Sequence, residues 1–166
     1  MKKRILALGC MAALLAFGSE AQAETASADA VAKIVTALTI TNSNKGLSFG
    51  TMVPGSGGKV TVAADGTANF DGPTQINAGT SPTRAAQFSV SGGASCICDI
   101  DAEQSVELVG DAGQGSMKAE LAESATSLTL DPKGKGTFSV GGVLEVPSDQ
   151  KSGIYAGTFK VTVVYQ

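Results

Sequence analysis

The chain has 166 residues, with 12 Lys and Arg against 15 Asp and Glu, 21 Gly, 3 Cys and neither His nor Trp. Without histidine the commonest general base and transition-metal ligand are gone, so Ser-His-Asp and Cys-His catalysis are excluded. A formal net charge of −3 with no internal basic run argues against nucleic acid and anionic membrane surfaces as partners.

The first 23 residues read as a secretory signal peptide: Lys2, Lys3 and Arg4, an apolar run from Ile5 to Phe17, then an A-x-A site at Ala21 and Ala23. The run is shorter than the roughly 20 apolar residues of a membrane anchor, and no later segment is long enough to span a bilayer. Gly9-Cys10 faintly matches a lipoprotein site, but cleavage there would leave too short a signal. Export is therefore expected, to the periplasm, the cell surface or the medium. Cleavage after Ala23 leaves 143 residues with 9 basic and 14 acidic groups, a net charge of −5. That length suits one domain with its own core.

Residues 24–35 begin as an Ala/Ser/Thr-rich stretch and continue with Ala28, Ala30, Ala32 and Ile34 on one face of an extended segment. This fits an N-terminal arm before a domain at 36–166; it also fits a frayed terminus leading into a first strand. Candidate strands then follow at 34–41, 47–52, 59–63, 68–70, 85–91, 95–100, 105–109, 127–130, 136–140, 143–146 and 155–165. The separators Asn44-Lys45-Gly46, Pro54-Gly55, Asp65-Gly66, Asp71-Gly72-Pro73, Gly92-Gly93, Asp131-Pro132 and Gly141-Gly142 carry turn chemistry. The class is all-β, and an antiparallel two-sheet sandwich is expected rather than a closed barrel. One short helix is allowed over 116–124, where Met117 and Leu121 stand four apart, although the same residues also suit a surface loop.

Chemistry-bearing residues are sparse. In "CICDID" the cysteines Cys96 and Cys98 share one strand face and Asp99 and Asp101 the other, so the four do not converge on one ion. The two cysteines read as small buried hydrophobes; a strained local bridge or a bond to another chain is the alternative. Asp99-Ile100-Asp101 lacks the third carboxylate and the glycine of an EF-hand loop. "GSGGK" at 55–59 has no Ser or Thr after its lysine and no following helix, so it reads as a hairpin loop and not a phosphate cradle. Neither an enzymatic activity, a metal nor a cofactor is expected, although paired carboxylates for glycoside hydrolysis are not excluded by counting.

Two blocks carry a family resemblance. "LTITNSNKGLSFGTMVPGSGGKVTVAADG" at 38–66 and "GTFSVGGVLEVPSDQKSGIYAGTFKVTVVYQ" at 136–166 resemble the two ends of the bacterial DUF4402 domain, found in exported proteins of unknown biochemical role. The matching residues are Leu47, Phe49, Gly50, Val60 to Val62, Val140 to Leu144, Gly153, Tyr155, Gly157 and Val161 to Tyr165. The ending also resembles chaperone-usher pilins and spore coat U domains, with an alternating last strand and a penultimate aromatic, here Tyr165. That resemblance implies an immunoglobulin-like sandwich lacking one strand, closed by the arm of a neighbouring subunit after a periplasmic chaperone and an outer-membrane usher have handled it. The implied donor residues are Ala28, Ala30, Ala32 and Ile34, and the implied acceptor edge is Phe159, Val161, Val163 and Tyr165. The expected role is a structural subunit of a fimbria-like surface assembly. The alternative is a self-complete monomeric module, at the cell surface or in the periplasm, that binds a ligand through its loops.

Overall fold

The computed structural model describes residues 24–76, 81–111 and 113–166; the leader expected over 1–23 lies outside the described residues. The chain divides into residues 1–33 and 34–166. Of the first part, 24–33 are exposed and form no strand.

The second part is all-β. Its strands are β1 (Thr39–Asn42), β2 (Met52–Val53), β3 (Gly58–Val62), β4 (Ala68–Asp71), β5 (Thr74–Gln75), β6 (Ala86–Ser91), β7 (Ile97–Ala102), β8 (Ser105–Gly110), β9 (Ser116–Glu123), β10 (Ser127–Thr129), β11 (Lys135–Val146), β12 (Tyr155–Ala156) and β13 (Val161–Tyr165). The large sheet runs β1-β6-β11-β9-β8-β12, with β3 and β4 branching from β11; a small sheet runs β10-β7-β13, and β2 pairs with β5. Every pairing is antiparallel. The two main sheets share one core of Ala86, Val90, Cys98, Ile100, Ala102, Leu121, Leu130, Phe138 and Val140. This is the all-β antiparallel, sandwich-like fold expected from the sequence, with the large sheet curled and branched.

A second core, of Phe49, Val60, Val62, Ala85, Ala119, Leu144 and Val146, fills the curl of the large sheet. Strand β11 links the two. Its residues 135–140 pair with β6, and 142–146 pair with β3 along the same edge. Turn chemistry at Gly141-Gly142 predicts two separate strands on either side. The structure has one strand of 12 residues, and the glycines serve close approach: a Cβ on Gly141 would collide with the Val62 carbonyl oxygen.

Three further expectations are corrected. Residues 116–124 form no helix; Met117, Ala119 and Leu121 alternate inward along β9, a period of two that also satisfies the four-residue spacing. The first strand begins at Thr39, not Ile34, and 47–52 contributes only the Ser48–Arg84 bridge and the start of β2. The loop before it is held instead by side chains: Arg84 Nε donates to the Gly46 carbonyl at 3.0 Å and Asn44 Nδ2 to the Ala85 carbonyl at 2.9 Å. This frees Phe49 to enter the second core. Finally, 155–165 is not one strand. β12 pairs with β8 in the large sheet, β13 pairs with β7 in the small one, and the chain changes sheet at 157–160. Gly157 crosses so close to β8 that a Cβ would collide with the Glu107 carbonyl oxygen.

Candidate functional site

β1 and β13 are the edges of their sheets: among the described residues, β1 pairs only with β6, and β13 only with β7. They border the same core. At one end of β13, the Tyr165 hydroxyl reaches Thr36 and Gly93; at the other, Phe159 stands edge-on to Phe88, with ring centroids 6.3 Å apart. Phe88 lies on β6 opposite Asn42 of β1 and stacks on Phe138 at 5.2 Å. Between these ends Leu38, Ile40, Phe159, Val161, Val163 and Tyr165 pack against the shared core while remaining only half-buried. The result is an apolar seam bounded by two sheet edges.

The backbone of β13 shows which groups face outward. The Lys160 carbonyl accepts from the Glu103 N–H at 3.1 Å and the Gln166 N–H donates to the Ile97 carbonyl at 3.1 Å, so the even-numbered residues turn toward β7. By antiparallel alternation, the N–H and C=O groups of Val161, Val163 and Tyr165 turn to the other edge. On β1 the Ser43 N–H donates to the Gln87 carbonyl at 2.7 Å, which leaves Ile40 and Asn42 facing away from β6 by the same rule. Both edges thus offer unpaired backbone groups beside a row of apolar side chains, the arrangement that invites an added strand.

The four residues named as an acceptor edge are brought together by the fold, although Phe159 lies at the sheet crossing and not in β13. The four named as donors are not: Ala28, Ala30, Ala32 and Ile34 are exposed outside any strand. Val31 and Ile34 expose 93% and 96% of their surface, among the largest exposures of any aliphatic side chain described. Sequence reasoning missed Leu38, Ile40 and Phe88, the other wall of the seam. Ile40 was legible as an apolar residue in a candidate strand, but its place opposite the last strand was not.

Other chemistry is thin. Cys96 and Cys98 are free. Burial, then the charges of Cys96 and Asp99, push the Cys98 thiol above its ordinary pKa, which keeps it protonated and unreactive. Among the described residues no group of three or more Cys, Asp or Glu is placed to hold a metal ion, and no helix is long and apolar enough to cross a membrane. A shallow depression of about 530 Å³ lies on β1, β6 and β11, lined by Thr41, Ser89, Ser91, Asp131 and Lys135.

Residues 38–165 match the family model DUF4402, a domain of unknown function, and no curated protein matches the chain. The chain belongs to the DUF4402 family.

Proposed function

We propose that this DUF4402 domain is an exported structural subunit that assembles by donor-strand complementation. One observation carries the reading: two free sheet edges enclose a half-buried apolar seam in a chain that also bears an exposed arm outside any strand. Five residues of β13 span about 17 Å at ~3.3 Å per residue, and the seven residues from Ala28 to Ile34 cover that length. In register, Ala28, Ala30, Ala32 and Ile34 would face the seam while the arm backbone pairs with the outward groups of Val161, Val163 and Tyr165. An unfilled seam is an aggregation hazard, so a periplasmic chaperone would guard it before assembly and an outer-membrane usher would order the exchange. Such an assembly needs no catalysis and no cofactor.

Three of the four arm residues are alanines, and each gives up about 1–2 kcal/mol of burial relative to Val or Leu. The exchange is therefore expected to be weaker than one made by an arm of larger aliphatic residues. A second reading is a self-complete monomer that binds a ligand, for which the shallow, open depression lined by Asp131 and Lys135 is the place to look.

The test is deletion of 24–35. Donor-strand assembly predicts that the shortened chain aggregates or loses stability and that a synthetic 24–35 peptide restores a soluble 1:1 complex. Equal stability of both chains, with no peptide bound, would sink the reading in favour of the second.

A further inference from the structure

Among the described residues, β13 is the longest of the strands that end a sheet, and the sheet it ends has only three strands. Edge strands that stay single usually carry a charge, a proline or a bulge. β13 reads Val-Thr-Val-Val-Tyr and pairs with β7 in unbroken register from Val161 to Tyr165, so it has none of the three. Its far end is held fixed. Tyr165 Oη accepts from the Gly93 N–H at 2.6 Å and donates to the Thr36 carbonyl at 2.5 Å. With this clasp in place, the outward backbone groups of the strand are set before any partner arrives, which lowers the ordering cost of binding one.

The phase of those outward groups selects the partner. They belong to Val161, Val163 and Tyr165, which are spaced evenly about Val163. A second β13, antiparallel to the first about a twofold axis at Val163, sets 161 against 165, 163 against 163 and 165 against 161. Each is a pair that exchanges both N–H···O bonds, so every outward group of both strands is used. A shift of two residues either way leaves one residue of each strand without a partner. The side chains agree with that register. On the inner face it joins Val161 to Tyr165 and Val163 to its own counterpart, so the apolar row continues across the axis. On the outer face it joins Thr162 to Val164, whose side chain is 52% exposed in the single chain, and Lys160 to Gln166, so no like charges meet.

We propose that two copies of this chain pair through β13 about a twofold axis at Val163, joining two three-stranded sheets into one of six strands. Residues 24–33 take no part, so the pairing stands whether or not the arm is a donor. The same surface serves both copies, and the contact therefore closes at two. It consumes the backbone groups that an added strand would use at that edge. Paired copies are thus withheld from head-to-tail growth, and the dimer is a resting form that covers the apolar rim.

The experiment is sedimentation velocity of the mature chain, residues 24–166, over a range of concentrations, beside the variants Val164→Lys and Ala30→Asp. Val164→Lys puts a charge on the exposed outer face next to the axis, close to its own counterpart, and leaves the inner row intact. The expected result is a monomer–dimer equilibrium with no larger species, weakened at least tenfold by Val164→Lys and unchanged within about twofold by Ala30→Asp. A series of oligomers that grows with concentration, a chain monomeric throughout, or a dimer indifferent to Val164→Lys overturns the inference. Loss of the dimer in Ala30→Asp overturns it too, while leaving strand addition by the arm standing. A second variant reads the axis directly and does not depend on weakening anything. In Val164→Cys the two introduced thiols are diagonal neighbours about 7–8 Å apart, so a bifunctional maleimide of that span should join the copies through them, as it does not in the natural chain. A dimer that forms but is not joined there has another interface, and the inference falls.

Discussion

The two cores of this domain are built from the same strand types and finished differently. The centre of the core within the curl of the large sheet is sealed, with Val60, Val62, Ala119 and Leu144 exposing between 0% and 2% of their surface; its rim at Leu47, Met52, Phe70 and Met117 is half-buried too, but β11 is paired along both edges there. The core between the sheets is sealed on the β9 side, where Leu121 and Val140 lie, but its rim at β1 and β13 remains half-buried. Apolar patterning is as regular in β13 as in β11. What differs is the number of neighbours: β11 has strands on both sides and β13 has one. Burial follows from that count, because an alternating strand buries its inner face only when the adjoining strand or sheet covers it. Stability is therefore expected to concentrate in the sealed core, and partner-dependence at the rim.

The largest test of that division is Leu144→Ala, which opens a cavity in the sealed core. It should lower unfolding stability in urea by about 3 kcal/mol, with or without the 24–35 peptide. A loss that the peptide repairs would mean the two cores are not separate in the sense argued.

Tyr165→Phe removes only a hydroxyl, yet it leaves the buried Gly93 N–H without its partner and unties the exposed Thr36 carbonyl. The expected cost is about 2 kcal/mol, seen in the same denaturation series. An unchanged midpoint would show that the clasp contributes no stability.

At the donor, Ala30→Val in the peptide adds two methyl groups to the face expected to enter the seam. At ~0.8 kcal/mol per buried carbon, about tenfold tighter binding follows. The control is Val31→Ala, on the outward face, which should leave affinity unchanged. Comparable changes in affinity at both positions would break the assigned register.

The smallest effect concerns the two thiols. Cys98 is fully buried and Cys96 is half-exposed, so a thiol reagent at neutral pH should modify one cysteine per native chain and both only after unfolding. Because the folded-state pKa of Cys98 is raised, its contribution to stability is complete below the ordinary thiol pKa and declines as pH rises above it. Alkaline destabilisation should therefore lessen in Cys98→Ala; an identical pH profile would remove Cys98 as its source.

Much of this architecture was legible from residue order. Period-two alternation pointed to the all-β class, and most strands from β3 to β10 fell within a few residues of their expected places. Failures cluster where one local signal has two physical uses. Gly141-Gly142 looked like a turn because glycine frees the backbone, but here its missing side chain lets β3 come close. Met117 and Leu121 fitted a helix because a spacing of four is also twice two.

Residue order was thus sufficient to say which positions are apolar, which alternate, and that the arm carries a small-residue face, because these depend on side-chain chemistry and strand periodicity. It took the folded chain to divide the last alternating run between two sheets, to set Ile40, Leu38 and Phe88 across from Val161 and Val163, and to fasten the root of the arm with Tyr165. Those are pairings between residues up to 129 positions apart, and no local pattern encodes which edge a strand will meet.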